Sequence, residues 1–421
     1  AGVPKFGAVN RFLRTAPMRQ LLGVLLGVCA VIALGSTLAV AATSGGPEPV
    51  SKTLPAAIHD ALAAPPVNGV FADITFKNSL IDSSELGRSD PLLSGGSGRL
   101  WLSNDHRFRL ELQADGGKPD AQIVVNHDSW WAYDPGSNTV YQGTLPAGTA
   151  HKPAAKHDAK DAVPTVAKIQ QELNRVMQHV GVTGPIPSNV GQQPAYTVRV
   201  TPKDSGGLIG AAELAWDAAR GVPLRVAVYS RSDPANPVLE LAASDIQYGP
   251  QDASVFSVSP PSDAKVVKVA TARTQSVRES KHKGKHTAGK RQEITGVTAV
   301  AQHLSFPLDA PASLGGLSRS SVKLLDMSGH PGALVIYGQG LGSVAVVEQA
   351  VSRKAAAPQS SSTGGGERTG LSLPTVNLNG TSAQELDTAL GTVVRFTRGG
   401  VSYIVAGSVS KTVADAAARG L

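Results

Sequence analysis

Residues 98–146 constrain the fold of this chain more than any other stretch, because short runs alternate apolar and polar residues between turn residues. The runs are broken by Asn-Asp, Asp-Gly-Gly, His-Asp and Asp-Pro-Gly-Ser-Asn. This pattern is typical of antiparallel strands joined by tight turns. Phe108, Leu110 and Leu112 share one face of their strand, and charged residues take the other face. The sequence therefore predicts a sheet with one apolar face, which needs a lid or an apolar ligand to cover it.

An uncharged, almost wholly apolar segment runs from Leu21 to Ala42, and about 20 such residues span a bilayer as a helix. Basic residues precede it without any acid, so the positive-inside bias predicts a cytoplasmic amino terminus and an extracytoplasmic remainder. The length favours an uncleaved anchor, whereas Ala39-Val40-Ala41 suits the cleavage site of a signal peptide. We predict that residues 1–44 are a cytoplasmic stub with a transmembrane anchor or signal. The chain would then be a single-pass membrane protein, or a secreted one if the signal is cleaved.

Composition divides the exported part of the chain. We predict a first domain over residues 45–262, a flexible basic linker over 263–292 and a small α+β domain over 293–421. Five basic residues of the linker are candidates for contact with an anionic surface, such as lipid headgroups or an envelope polymer: Lys281, Lys283, Lys285, Lys290 and Arg291. A run of like charges is also typical of a solvated linker without a partner, and both interpretations stay open.

A helix is predicted to begin at Pro164, because apolar residues recur with helical spacing after it. They form one stripe on an otherwise polar helix: Val166, Ile169, Leu173, Val176, Met177 and Val180. Gly181 and Pro185 are expected to end this helix. The helix thus has an apolar face to bury, and the sheet has an apolar face to receive it.

The last domain is predicted to combine strands and helices. Strands are expected over 321–327, 333–337 and 343–349, and a hairpin is expected to turn at Arg398-Gly399-Gly400. Ser382 and Glu385 have the spacing of a capping box, which predicts that a helix begins there. A closing helix is expected over Lys411 to Arg419.

Catalytic and metal-binding patterns are missing from the sequence. Gly95-Gly96-Ser97-Gly98 has the wrong spacing for a nucleophile elbow, and Gly338 to Gly342 lacks the lysine and helix of a nucleotide loop. The lone cysteine, Cys29, lies within the apolar amino-terminal segment, so no disulfide or thiolate metal site is expected. We predict that the protein is not an enzyme, uses no cofactor or metal and has no nucleic-acid partner.

The order of the motifs resembles the LolA-like lipoprotein-carrier family, which includes the RseB/MucB periplasmic regulators. The segments that carry the resemblance are GRLWLSNDHRFRLEL, IVVNHDSWWAYDPGSNTVYQG, PAYTVRV, LAWDAARGVPLRVAVYS and DIQYGPQDASVFSVSPP. The residues that match the family's two hairpin motifs are Trp131, Tyr133, Asp134, Pro135, Trp216, Asp217, Gly221 and Pro223. The resemblance covers roughly residues 55 to 262, and the last domain looks like the one that comes after the carrier fold in RseB-like regulators.

This resemblance implies an α+β protein: after the transmembrane helix comes a strongly curved antiparallel half-barrel sheet with helices in its concave face, then a small α+β domain. It also implies an apolar cavity for acyl chains. With the alternation of the strands, the predicted lining residues are Ile74, Phe76, Leu110, Leu112, Trp131, Ile169, Leu173, Met177, Val198, Leu214, Trp216 and Val226. The same residues also suit a plain hydrophobic core.

Three functions are expected on these grounds. The first is a membrane-tethered, extracytoplasmic binder of acyl lipid or lipoprotein in the bacterial cell envelope. The second is an RseB-like envelope-stress sensor whose last domain binds a membrane-protein partner. The third is a structural envelope protein without a ligand.

Overall fold

The computed structural model describes residues 46–80, 95–105, 107–113, 121–145, 163–203, 206–268, 294–327, 330–351 and 374–421. These residues form two compact units. The first unit comprises the described residues up to Lys203 and those from Ile209 to Lys268. The second unit comprises Gly206–Leu208 and the described residues from Ile294 onward.

The first unit is built on one sheet of twelve strands. In sheet order the strands are β12-β6-β5-β4-β3-β2-β1-β11-β10-β9-β8-β7. All neighbours pair antiparallel except β12 with β6, which pair parallel. The strands are β1 (Gly69–Asn78), β2 (Gly96–Ser103), β3 (Phe108–Gln113), β4 (Ala121–Asn126), β5 (Ser129–Asp134), β6 (Thr139–Thr144), β7 (Val180–Val190), β8 (Gln193–Pro202), β9 (Ile209–Asp217), β10 (Pro223–Ser230), β11 (Pro237–Tyr248) and β12 (Lys265–Lys268).

Two α-helices accompany this sheet in the described residues, α1 (Leu54–Ala63) and α2 (Val166–Val176). Pro55 stands in the first turn of α1, where its missing N–H costs nothing. The Thr165 hydroxyl caps α2 by accepting the backbone N–H of Lys168 at 3.3 Å. Helix α2 was expected from the apolar stripe after Pro164. A short 3-10 turn comes after β11 at Ala253–Phe256.

The sheet curls into a half-barrel. At the end of β7 a methyl group on Gly191 would lie 3.1 Å from Cβ of Ala243 on β11, although three strands separate β7 from β11 in the sheet. Helix α1 lies inside this curl, where Ala57 and Ala61 pack against Val198 and Trp216. The described chain is thus mostly β, with a curled half-barrel sheet and few helices.

The second unit contains an eight-stranded sheet in the order β13-β14-β15-β16-β20-β19-β18-β17. Helix α3 (Val297–Ala301), a 3-10 turn (Gly340–Gly342) and helix α4 (Lys411–Arg419) accompany it. Buried residues of the sheet pack with Ala414, Ala417 and Ala418 of α4 into one core. The strands are β13 (Ser313–Leu314), β14 (Leu317–Met327), β15 (His330–Tyr337), β16 (Val344–Ala350), β17 (Thr375–Leu378), β18 (Thr381–Thr388), β19 (Gly391–Arg398) and β20 (Val401–Gly407).

Three predictions of local structure were wrong. Ser382 and Glu385 do not cap a helix, because they lie within strand β18, where Ala383 and Glu385 are buried at alternate positions. Val180, the last residue of the predicted helical stripe, begins strand β7, since α2 ends at Val176. The basic linker predicted from residue 263 starts instead with strand β12, which pairs with β6.

The predicted membrane segment, Leu21 to Ala42, lies outside the described residues, as does most of the basic linker. Within the residues that the structure describes, no helix is long and apolar enough to cross a membrane.

Candidate functional site

The two faces of the first sheet differ sharply in charge. We call the face that carries α1 the inner face and the opposite one the outer face. The strand register places Ala72, Leu100, Leu110 and Ile123 in one row of the inner face, and Phe76, Leu241 and Val226 in another. From β1 to β4 and from β8 to β11, the inner-face positions of the described strands hold no charged residue.

The outer face holds the charges in hydrogen-bonded networks. The Glu213 carboxylate accepts from Arg199 at 2.8 Å, from Arg225 at 2.6 Å and from the Tyr229 hydroxyl at 2.7 Å. Arg225 also donates to Glu240 at 2.5 Å. Burial raises the pKa of Glu213, but these hydrogen bonds outweigh it and leave the pKa below its usual value. The outer face of β8 to β11 is therefore stabilised by its own ion pairs.

One part of the inner face is a closed core beneath α1. Val198, Leu214 and Trp216 are each no more than 2% exposed and form one cluster with Ala57 and Ala61 of the helix. Ile74 and Leu112 are also buried, in a second cluster on β1 and β3. Five of the predicted lining residues thus serve the fold as core residues.

Another part of the inner face keeps large apolar side chains half-buried or exposed. Phe76, Leu110 and Val226 were predicted as lining residues and belong to this part. Leu241, between Phe76 and Val226 in the sheet, is 37% exposed. We define the apolar strip as these four residues with their half-buried inner-face neighbours: Phe76, Leu100, Leu110, Ile123, Val226, Val228, Leu239 and Leu241.

Sequence reasoning missed five residues of the apolar strip. Leu239 and Leu241 alternate with Glu240 in the segment VLELA, which is the period-two signal of a strand with one apolar face. Leu100, Ile123 and Val228 lack this clean alternation, because each has an apolar or aromatic neighbour in its own strand. Alternation shows which residues of one strand share a face. Only the register shows which face of the neighbouring strand continues it.

Trp131 does not join the other predicted lining residues. The register pairs Trp131 with Val124 and Val124 with Arg109, so all three lie on the outer face. Side chains alternate along a strand, so Trp130 takes the inner-face position instead. Trp131 lines an outer-face groove of about 240 Å³ with residues that include Phe256, Val258 and Pro260.

The stripe on α2 is only partly packed. Ile169 is buried and Leu173 is half-buried. Met177, which caps the carboxyl end of the helix, is 38% exposed, and Val166 at its start is 40% exposed. The helix is tied to α1, since the His59 ring nitrogen Nδ1 lies 2.9 Å from the Pro164 carbonyl oxygen. Two of the three predicted α2 residues therefore remain at least partly open to solvent.

Two aspartates in the motifs behind the family resemblance shape turns. The Asp217 carboxylate accepts the backbone N–H groups of Ala219 and Arg220, both at 2.8 Å. Asp134 accepts the N–H of Gly136 at 2.8 Å in the same manner. No group of His, Cys, Asp or Glu able to hold a metal occurs in the described parts of the chain. The five basic linker residues, Lys281 to Arg291, lie outside those parts.

Comparison with known proteins gives structural matches alone. No protein-family model and no curated protein matches the chain. Among solved structures, the MucA/MucB complex of Pseudomonas aeruginosa matches at 15% identity over 86% of this chain and 94% of that one, with a TM-score of 0.37. A LolA superfamily protein from Nitrosomonas europaea matches at 10% identity over 47% and 94% of the two chains, with a TM-score of 0.19. A putative outer membrane lipoprotein-sorting protein domain from Vibrio parahaemolyticus matches at 10% identity over 48% and 95%, with a TM-score of 0.18. These structures come from the LolA-like and RseB-like groups that the sequence resembles.

Proposed function

We propose that this chain is an extracytoplasmic binder of acyl lipid or of a lipoprotein's acyl groups, and that the apolar strip is the binding surface. One observation carries the proposal: the inner face holds no charge on eight described strands, yet part of it keeps large apolar side chains accessible. A soluble sheet face that only served as a core would bury such residues. Accessible apolar patches of this kind mark binding sites.

The energetics favour an aliphatic ligand. Each methylene transferred from water contributes about 0.8 kcal/mol, so an acyl chain of about 14 carbons offers roughly 10 kcal/mol. The strip is built from leucine, isoleucine, valine and one phenylalanine, and such side chains offer dispersion contacts without hydrogen-bond donors or acceptors. A polar headgroup would therefore stay outside the strip.

Leu241→Asp tests the proposal, because a carboxylate at an exposed inner-face position disfavours an acyl chain while costing the fold little. We expect roughly a tenfold or greater loss of affinity for a fluorescent fatty acid. We also expect native mass spectrometry of the full chain to show less co-purified lipid in the variant. Thr75→Asp is the matched control, since Thr75 is exposed and lies on the outer face of β1 next to Phe76.

Two results would contradict the proposal. One is a folded Leu241→Asp variant that takes up the fatty acid as the wild type does. The other is a wild-type chain that carries no acylated molecule and binds no fatty acid, which would identify the inner face as a structural core alone.

A regulatory sensor is the second candidate, and one observation in the second unit favours it. The sheet face away from the core carries a band of apolar residues, of which Val393 and Ile404 are 38% and 37% exposed. The register joins the band across four strands: Leu334, Ile336, Ala345, Val347, Val393 and Ile404. A photo-crosslinker at Ile404 should capture a membrane protein in intact cells if the chain is a sensor, and lipid loading should change the yield.

A further inference from the structure

The core of the second unit contains a carboxylate, Glu348, that the proposed lipid-binding function does not use. Glu348 is 0% exposed and lies on β16, in the middle of the sheet. The register places it in one row with Ala333 on β15 and Tyr403 on β20, and these neighbours are buried as well. Ionised carboxylates are rarely so buried unless a cation or several hydrogen bonds compensate them.

Glu348 has little such compensation. Its Oε2 atom accepts one hydrogen bond, from the backbone N–H of Asp309 at 3.0 Å. Its Oε1 atom is buried without a hydrogen-bond partner, and no cation pairs with the carboxylate among the described residues. Glu385 on β18 differs from Glu348 in this respect: it is 4% exposed, but its carboxylate forms an ion pair with Lys411.

The titratable groups around Glu348 do not stabilise its charge. Burial raises its pKa to about 7, and the nearby Asp309 charge adds to the rise, although the Asp309 N–H opposes it. Burial also raises the pKa of Tyr337 on β15 and that of Tyr403 on β20 to about 12, so both stay neutral at physiological pH. The two arginines of this region, Arg319 and Arg398, act on these tyrosines and on Asp309.

Asp309 belongs to a segment that crosses the core without regular secondary structure, residues 304–310, which we call the strap. Leu304, Phe306, Leu308 and Ala310 of the strap pack against the core at alternate positions. Arg319 donates to the Ala310 carbonyl at one end. The hydrogen bond to Glu348 therefore holds the strap near its carboxyl end, between the core contacts of Leu308 and Ala310.

We propose that Glu348 is a proton-operated latch for the strap: the protonated carboxyl keeps the strap on the core, and ionisation releases it. The physical reason is solvation. Opening the strap admits water to the carboxylate, so the open form tolerates the charge that the closed form resists. The direction comes from linkage, because a group that holds its proton more tightly in the closed form favours closure at low pH.

Hydrogen exchange of the full chain between pH 5 and pH 9, corrected for intrinsic exchange rates, tests the latch. If Glu348 has the ordinary pKa of a glutamate in the open form, the protection of the strap amides should fall about tenfold between pH 6 and pH 8. In Glu348→Gln the amide is neutral at all pH values, so this fall should disappear. Glu385→Gln is the matched control, and it should keep the pH-dependent fall because the latch is intact.

Equal pH dependence of strap protection in the wild type and in Glu348→Gln would overturn the proposal, as would a wild-type strap whose protection does not change with pH. If Glu348→Gln does not fold, carbon NMR of the glutamate carboxyls in the wild type decides. A carboxyl that titrates near pH 7 together with the strap amides supports the latch. Titration of every glutamate below pH 5 refutes it.

Discussion

At the scale of single residues, Asp217 shows how a residue of the hairpin motif stabilises the fold. It is 1% exposed and accepts two backbone N–H groups of its own turn, and its second oxygen accepts the Tyr248 hydroxyl at 2.7 Å. Trp216 beside it is buried beneath α1. The hairpin motif that carries the family resemblance is therefore a structural device that joins β9, β10 and β11.

Asp217→Ala should cost about 2 to 4 kcal/mol, because it leaves the turn amides and the half-buried Tyr248 hydroxyl without their acceptor. Urea unfolding monitored by tryptophan fluorescence measures the loss. Asp233→Ala is the control, since Asp233 accepts similar backbone bonds from Ala235 and Asn236 but lies in an exposed loop. Equal losses in the two variants would show that burial of Asp217 contributes nothing.

Individual residues of the site were predictable only as far as strand alternation reaches. Phe76 and Leu110 were identified because each has polar residues on both sides in its own strand, and Val226 because it follows Arg225. Trp131 was placed on the wrong face, since two adjacent tryptophans give alternation no means of choosing which one points inward. Leu241 became visible as part of the site only when pairing brought it between Phe76 and Val226.

At the scale of elements, most strands and helices could be read from the sequence, and each error has a physical cause. Residues 382–388 carry good helix formers and a capping-box spacing, yet they lie in β18 because Ala383 and Glu385 meet the core at alternate positions. Tertiary burial overrides local propensity there. Strand β7 was missed for another reason: Gly181 and Pro185 indicate that a helix ends, but they do not identify the next element as a strand.

The seating of α1 depends on a glycine in the β9–β10 turn. Gly221 has φ +66°, and a methyl group there would overlap the carbonyl oxygen of Ala61 on α1. Gly221→Ala should therefore destabilise the first unit by about 2 kcal/mol or more, since it combines backbone strain with a clash. Faster hydrogen exchange of the α1 backbone amides in this variant would show that the loss of stability lies at the helix.

Gly400→Ala separates the two contributions. Gly400 has φ +78° and nothing within 4 Å of an added methyl group, so it bears the backbone strain alone. Its cost should be about 1 kcal/mol. If Gly221→Ala costs no more than Gly400→Ala and leaves the exchange of α1 unchanged, close packing of α1 on the turn is not what fixes the helix.

At the scale of the whole molecule, the two units should respond to pH in opposite directions. In the second unit, Glu348 has a raised pKa, so its contribution to stability is lost as pH rises through about 7. In the first unit, the pKa of Glu213 is lowered in the folded chain. Its ionised form therefore stabilises that unit at neutral pH, and the contribution disappears as pH falls below the usual range of a glutamate.

Acid unfolding of the first unit is open to direct measurement, because all four tryptophans of the chain lie there. Glu213→Gln should lower the urea midpoint at pH 7, because it leaves Arg199 without a carboxylate and Arg225 with Glu240 alone. It should also reduce the loss of stability between pH 7 and pH 3. Glu172→Gln, at an exposed pair with Arg175 on α2, is the control. An unchanged acid response in Glu213→Gln would place the acid sensitivity elsewhere.

The four-residue strand β12 affects how readily the protein self-associates in solution. It pairs with β6, so the backbone N–H and C=O groups on that edge of β6 cannot pair with a strand of another chain. Exposed Lys265 and Lys268 stand at its ends, and repulsion between such charges discourages stacking of two copies along this border. A sheet whose inner face is uncharged on eight strands is at risk of self-association, and here a short stretch of chain protects colloidal stability at the sheet margin.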